Sequence, residues 1–505
     1  IEYLQLTKMP YCTKSFIVLL EYAFAHDESI ISKLYKPEFF QDNRHMTLGN
    51  NAVYQLNVLE SAQFDNPHKH FGSVFDVVNS TTTPMGNRYL HNRLTNPLID
   101  TELITESYDN TQMLIDKKLV ESVDKCLVGI VDTERLHRKL VLQKIHQYEY
   151  FNMIHSYKQV QSLYDVLKKY LPKNAKSNMY LDSKHLDKLK EWVTDCERIF
   201  NMEELKNQNL IEVKTSFFNK GVYPHIDKLQ AEMTMNEDFV QKLSEVLSAM
   251  IPTTKLATAP TKTVLSVPKK VKKIKVTDDK NKIHVKHNDR DGYYLNLTKL
   301  RATALQEVLI KREDREITVG EIKVQINSLV FKDMPAGKNV NISYTGLSDK
   351  SKMMDTLLIQ LRDALKIQYN EVLNSHEKTY GALFTKLNKF IGYLDFVKSN
   401  AKIATLYKYV RPELVTGYDS GFIECTRLRH PIIERIIDTE YIPHDVNIGK
   451  DRSMLLFGLN SSGKSSMMKA LCLSSILAQA GLYVPATKYR YAPYKSLFVR
   501  ITGND

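Results

Sequence analysis

At 505 residues and 58.4 kDa the chain is too long for one hydrophobic core, and two to four domains are expected. Its five cysteines (Cys12, Cys126, Cys196, Cys425 and Cys472) are scattered, with no C-x-x-C pair and no histidine at ligand spacing; this argues against a disulfide framework or zinc site and for a reducing intracellular compartment. No run of about eighteen apolar residues exists, which excludes a membrane-spanning helix, while a net charge of +12 and a pI near 9.1 suggest a polyanionic partner, a bias that a lysine-rich genome would also produce.

Taken from the N-terminus, the apolar stretch Phe16–Ala25 is broken by Glu21 and predicts a buried helix rather than a signal peptide. No proline occurs from residue 98 to 171, and that stretch carries helical apolar spacing. A further helix is predicted from His225 to about Ile251, ending before Pro252. Composition changes over residues 252–345, which contain several prolines and the predicted β-rich segments Lys272–Val276, Lys282–Lys286 and Tyr293–Leu297. The run 268–275 holds five lysines in eight residues, Lys269, Lys270, Lys272, Lys273 and Lys275. It reads either as a solvated face or as a surface contacting phosphate, and it is also similar to a basic nuclear-import signal. Proline is absent again from 336 to 411, where Leu358, Leu361, Leu365, Val372, Tyr380, Leu383, Leu387, Ile391 and Leu394 recur at threes and fours. They predict one long amphipathic helix, or a pair interrupted near Gly381, and the stripe itself is core packing without chemistry.

Chemistry appears near residue 458. Gly458-Leu459-Asn460-Ser461-Ser462-Gly463-Lys464-Ser465 fills the spacing G-x-x-x-x-G-K-[ST], followed by Ser466. Glycines at those places let successive N–H groups turn inward on a phosphate chain; Lys464 reaches the β/γ phosphates and the Ser465 hydroxyl ligates Mg²⁺. Met454–Phe457 is an unbroken apolar run suited to a buried parallel strand. Met467–Ala480 is a helix former that puts the loop at a helix N-terminus, and Gly481 and Pro485 stop it. The strand and helix that frame the loop argue against an ordinary turn, so a nucleoside triphosphate, ATP, with Mg²⁺ is the implied ligand.

The segments around this loop resemble those of the MutS family of DNA mismatch-repair ATPases. Ala478-Gln479-Ala480-Gly481-Leu482-Tyr483-Val484-Pro485-Ala486 is similar to its A-Q-x-G-x-x-V-P-A, Arg429-His430-Pro431-Ile432-Ile433-Glu434 to R-H-P-x-x-E, and Tyr441-Ile442-Pro443-His444-Asp445 to aromatic-V-P-N-D. Thr83-Pro84-Met85-Gly86-Asn87-Arg88-Tyr89-Leu90, with Leu94 and Pro97-Leu98, resembles T-P-M-G-x-R-x-L with its W-L and P-L. Asp132-Thr133-Glu134-Arg135-Leu136 resembles D-x-E-R-L, Asp291–Thr298 the clamp segment G-Y-Y-L-x-V-T, and Leu394-Asp395 through Tyr409-Val410-Arg411-Pro412 the entry to the ATPase. The blocks run in family order over residues 50–505.

The resemblance implies a multidomain protein, mainly an α-helical core and levers with an inserted β-rich clamp, followed by a truncated α/β P-loop domain of ABC type. Its implied boundaries are the end of a connector-like region at 1–48, helical core and first lever at 49–254, clamp at 255–345, returning lever helices at 346–412 and the N-terminal part of the ATPase domain at 413–505. It implies a homo- or heterodimer on double-stranded, mismatched DNA, downstream repair factors, and Tyr441 stacked on adenine. The clamp resemblance favours a phosphate-contacting role for the five lysines. Leu459, Ser461, Ser462 and Ser466 depart from the usual G-P-N-M-G-G-K-S-T in a way similar to relatives from large DNA viruses and octocoral mitochondria, and His444 stands where Asn is usual. The acidic strand end and signature loop that complete hydrolysis are not found before Asp505, nor is an F-x-E mismatch-reading domain. A segment of a longer protein, inactive as an ATPase by itself, is therefore expected. The alternative is a paralogue that clamps junction or recombination DNA without reading mismatches; an unrelated P-loop kinase would lack such helical arms.

Overall fold

Helices occupy the proline-free stretches, and several begin where a side chain satisfies the free N–H groups of the first turn. The computed structural model describes residues 6, 9–26, 44–49, 51–60, 71–171, 177–207, 215–252, 283–288, 292–320, 322–333, 338–418, 420–449, 453–460 and 462–501. The chain divides into two units, one of residues 82–86 and 121–395, the other of 1–81, 87–120 and 396–505. Among the described residues no helix is long and apolar enough to cross a membrane.

In the first unit, Asp132 accepts from the N–H of Arg135 to start helix Thr133–Val141, and Asp182 from that of His185 to start Ser183–Ile199. Pro224 occupies the opening turn of Pro224–Ala249, close to the predicted span. The long helix Thr345–Tyr407 is continuous over 63 residues, about 95 Å at the helical rise. Gly381 does not interrupt it. One glycine costs a helix only about 1 kcal/mol, and Tyr380, Leu383, Phe384 and Leu387 around it are buried. Phe384 packs with Trp192 and Tyr157 in an aromatic core that also contains Tyr150 and Tyr369. Two motifs far apart in sequence meet here. The Asp395 carboxylate accepts from the Thr82 and Thr83 N–H groups and from the Thr83 hydroxyl, whose oxygen accepts from the Gly86 N–H in the first turn of helix Pro84–Thr95. An added Cβ on Gly86 would lie 2.2 Å from that carboxylate, so the T-P-M-G segment is built to receive it.

An antiparallel sheet of this unit runs in the order His284–Asn288, Gly292–Thr298, Asn339–Ser343, Val330–Asp333. Two predicted strands are therefore present, shifted by one or two residues. Lys272–Val276 lies outside the described residues. The region is less purely β than its composition predicted, because Lys299–Ile310 is helical. Ala302, Leu305 and Leu309 bury its inner face in the core formed by Leu295, Leu297, Val340, Ile342 and the end of helix Pro224–Ala249. Helical period at 302, 305 and 309 wins over the turn-rich context.

The second unit holds a mixed sheet ordered His444–Ile448, Phe422–Leu428, Lys488–Ala492, Glu413–Leu414, antiparallel except for its last pair. Helix Lys464–Gln479 occupies the predicted place. Two expectations fail here. Met454–Phe457 forms no strand, and Leu455 and Phe457 are 88% and 86% exposed. A buried parallel strand requires neighbours on its edges, and no described strand pairs with this run. Phe16–Ala25 does lie in a helix, Pro10–His26, yet Ile17, Val18, Leu19, Tyr22 and Phe24 are exposed. Only the stripe Thr13, Phe16, Leu20 and Ala23 is partly covered; apolar residues on every side of a helix cannot all face one neighbour.

Candidate nucleotide-binding site

The loop 458–463 leads directly into helix Lys464–Gln479. Gly463 has φ +87°, a left-handed conformation that costs other residues about 1–2 kcal/mol, and sits as N-cap of helix Lys464–Gln479. No side chain caps that helix, so its first-turn N–H groups stay directed out of its end, where an anion is stabilised. The Lys464 ammonium folds over the loop, donating to the carbonyls of Gly458 (2.9 Å) and Leu459. Leu459, Asn460, Ser462 and Ser465 are exposed and Ser466 half-buried; Ser461 lies outside the described residues. This donor set fits a polyphosphate. The Ser465 hydroxyl lies exposed in the first helical turn, and the described residues contain no cluster of three or more His, Cys, Asp or Glu able to hold a metal.

The neighbouring motifs prove to be anchors. His430 is 4% exposed, and its Nδ1 accepts from the N–H groups of Ile432 and Ile433, each at 3.2 Å. Burial, helped by the Lys469 ammonium on the nucleotide helix, pushes its pKa down to about 4, so the ring is neutral and accepts. Glu434 is paired to Arg429 (3.1 Å) and Arg435 (3.2 Å) and accepts from the Tyr409 hydroxyl (3.2 Å). R-H-P-x-x-E is thereby spent on joining this turn to the end of the long helix. Tyr441 is half-buried, with His444 edge-on at 6.3 Å between ring centres, and burial raises its hydroxyl pKa.

At its far end the nucleotide helix is tied down by the A-Q-x-G-x-x-V-P-A segment. Gly481 (φ +84°) and Leu482 return N–H groups to the carbonyls of Ala478 and Leu477, a Schellman ending that a left-handed residue makes possible. The buried Gln479 amide is saturated: it donates to the carbonyls of Leu98 (2.8 Å) and Tyr494 (2.9 Å) and accepts from the Tyr494 N–H (2.9 Å). Tyr108 donates to the Ala478 carbonyl (2.6 Å) and meets the Tyr491 hydroxyl at 3.0 Å. Asn400, from the long helix, binds both Gly481 and Tyr483. Neither Tyr108 nor Asn400 carried a sequence signal, because each is a single polar residue in a helical pattern.

The lysines Lys269, Lys270, Lys272, Lys273 and Lys275 lie outside the described residues. In the four-stranded sheet, His284, Asn296, Asn341 and Lys332 form one cross-strand row on the face opposite Leu295 and Ile342, with His284, Lys286 and Lys332 exposed.

The chain matches MutS domain III over residues 51–401 and MutS domain V over residues 454–505. A mutS homologue of Acanthamoeba polyphaga mimivirus is 29% identical across the whole chain, which covers 46% of that protein. The DNA mismatch repair protein MutS of Caldanaerobacter subterraneus is 24% identical across the whole chain (51% of the relative), and the mitochondrial mutS homologue of the octocoral Sarcophyton glaucum 24% over 97% of it (45% of the relative). The chain thus spans about half the length of the curated relatives it matches.

Proposed function

Because this chain belongs to the MutS family, we propose that it supplies the core, levers, clamp and phosphate-binding loop of an ATP-dependent DNA clamp acting in mismatch repair. The observation that carries the reading is the uncapped helix end at Gly463, with the Lys464 ammonium drawn over the loop carbonyls. Polyphosphate would enter between those N–H groups and Lys464, with Mg²⁺ on Ser465 and the base beside Tyr441. The boundaries near residues 48, 254, 345 and 412 serve this reading as proposals. So does a dimer encircling mismatched duplex, with Lys269, Lys270, Lys272, Lys273 and Lys275 on the phosphate backbone and downstream repair factors recruited to it. Lysines on phosphates carry no sequence information, which suits a clamp that slides.

Calorimetric titration of the complete gene product with a non-hydrolysable ATP analogue, in parallel with anisotropy on matched, mismatched and junction DNA, tests it. Saturable analogue binding and tighter binding to the mismatch are expected. Absence of analogue binding would overturn the nucleotide assignment, and preference for junctions would move the protein to the recombination class.

A further inference from the structure

We propose that Asn400 is a positioning residue through which DNA held by the clamp, from which the long helix starts, changes nucleotide affinity at Lys464; the inference rests on the clamp reading above. Asn400 is 4% exposed, and its side-chain amide joins three segments of one unit. Nδ2 donates to Thr111 Oγ1 (2.9 Å) and to the Gly481 carbonyl (3.4 Å), and Oδ1 accepts from the Tyr483 N–H (3.0 Å). The orientation of the amide is forced. The Thr111 hydroxyl proton is already given to the Ser107 carbonyl (2.8 Å), so Oγ1 needs a donor, and a carbonyl at Gly481 needs one too. No other residue type of this size supplies one acceptor and two donors.

Two rigid elements meet at this amide. Lys464–Gln479 is an unbroken helix with the phosphate loop at one end and Gly481 just past the other. The long helix that carries Asn400 follows directly on the strand Asn339–Ser343 of the antiparallel sheet, through a single intervening residue. A shift of the nucleotide helix along its axis cannot be absorbed at Gly481 without stranding polar atoms in a buried site, and that penalty makes the joint stiff, so that the two helices move together. The neighbouring turn of the long helix is committed as well: Ser399 accepts from the Ser80 N–H (2.7 Å) and donates to the Val78 carbonyl (2.9 Å), fixing its rotation.

The test is the ratio of ATP-analogue dissociation constants without and with duplex DNA, measured by calorimetry on the complete gene product. Variants are Asn400→Asp, which keeps the acceptor and loses both donors, and Thr111→Val, which keeps volume if the first does not fold. Ser475→Ala serves as control, since it removes a buried hydroxyl of the same helix that bonds Leu471 and Tyr489 and makes no hydrogen bond to Asn400 among the described residues. Wild-type coupling in the usual allosteric range of roughly 5–150-fold should fall to within about twofold of unity in Asn400→Asp and drop by at least about threefold in Thr111→Val. Ser475→Ala should retain it, and affinity without DNA should stay within about threefold of wild type throughout, as expected for residues that do not touch the loop. A folded Asn400→Asp or Thr111→Val protein with wild-type coupling overturns the inference alone. A wild type that binds analogue and DNA independently overturns it together with the clamp reading.

Discussion

Lys464 reaches the loop through contacts to two carbonyls and takes no part in the core, so its loss separates binding from folding. Lys464→Ala should weaken ATP-analogue binding by about 2–4 kcal/mol, the scale of a charge-assisted contact, with an unchanged melting temperature; calorimetry and thermal unfolding on the same preparation check both. Gly481 is the opposite case. Its φ of +84° strains any side chain, and a Cβ there would lie 2.8 Å from Ser107 Cβ. Gly481→Ala should therefore destabilise the protein by about 2–4 kcal/mol, summing left-handed strain and overpacking, as read from chemical denaturation. The difference between these residues explains what could be read in advance. Gly458, Gly463 and Lys464 announce themselves by fixed spacing, because the phosphate chain dictates it. Asn400 and Thr111 are 289 positions apart, and nothing local marks either.

At the scale of elements, period and punctuation were legible where packing was ordinary. Helices Pro224–Ala249 and Lys464–Gln479 fall where proline, glycine and apolar spacing put them. Met454–Phe457 was not legible, because a parallel strand forms and is buried only where neighbouring strands and helices cover it, and a local apolar run does not supply those neighbours. The Phe16–Ala25 segment fails for a related reason: it has the composition of a core helix but only one covered stripe. The R-H-P-x-x-E turn gives a pH prediction. His430 is neutral when folded, with a pKa near 4, whereas the unfolded chain takes up a proton near 6.5. Its contribution is intact above pH 6.5 and is lost as pH falls toward 4, by about 3 kcal/mol at most. His430→Asn keeps an acceptor for the Ile432 and Ile433 N–H groups, and it should flatten that acid limb relative to wild type in denaturation curves taken from pH 7 to 4. Parallel acid limbs in the two proteins would assign the loss to other groups.

For the whole molecule, the sequence motifs that seemed to be scattered functional signatures are mostly joints. Asp395 holds the T-P-M-G turn in one unit, and Gln479, Asn400 and Tyr108 hold the end of the nucleotide helix in the other. Such buried polar contacts fix register more than they add stability, as the proposed coupling of DNA to nucleotide requires. Charge belongs to this scale too. If the five lysines of 269–275 face the DNA backbone, neutralising them should weaken all duplexes alike and make the slope of log K against log salt shallower by roughly 0.9 per lost phosphate contact. An unchanged slope would return that run to a solvated face.

The central claim is that one chain carries both a DNA clamp and the phosphate loop that controls it. Duplex affinity of the complete gene product, measured by anisotropy with and without the non-hydrolysable ATP analogue for wild type and Lys464→Ala, tests it most directly. The account predicts that the analogue changes wild-type affinity by about fivefold or more and leaves Lys464→Ala unmoved. Equal affinity with and without nucleotide in the wild type, or an equal response in the variant, would contradict it.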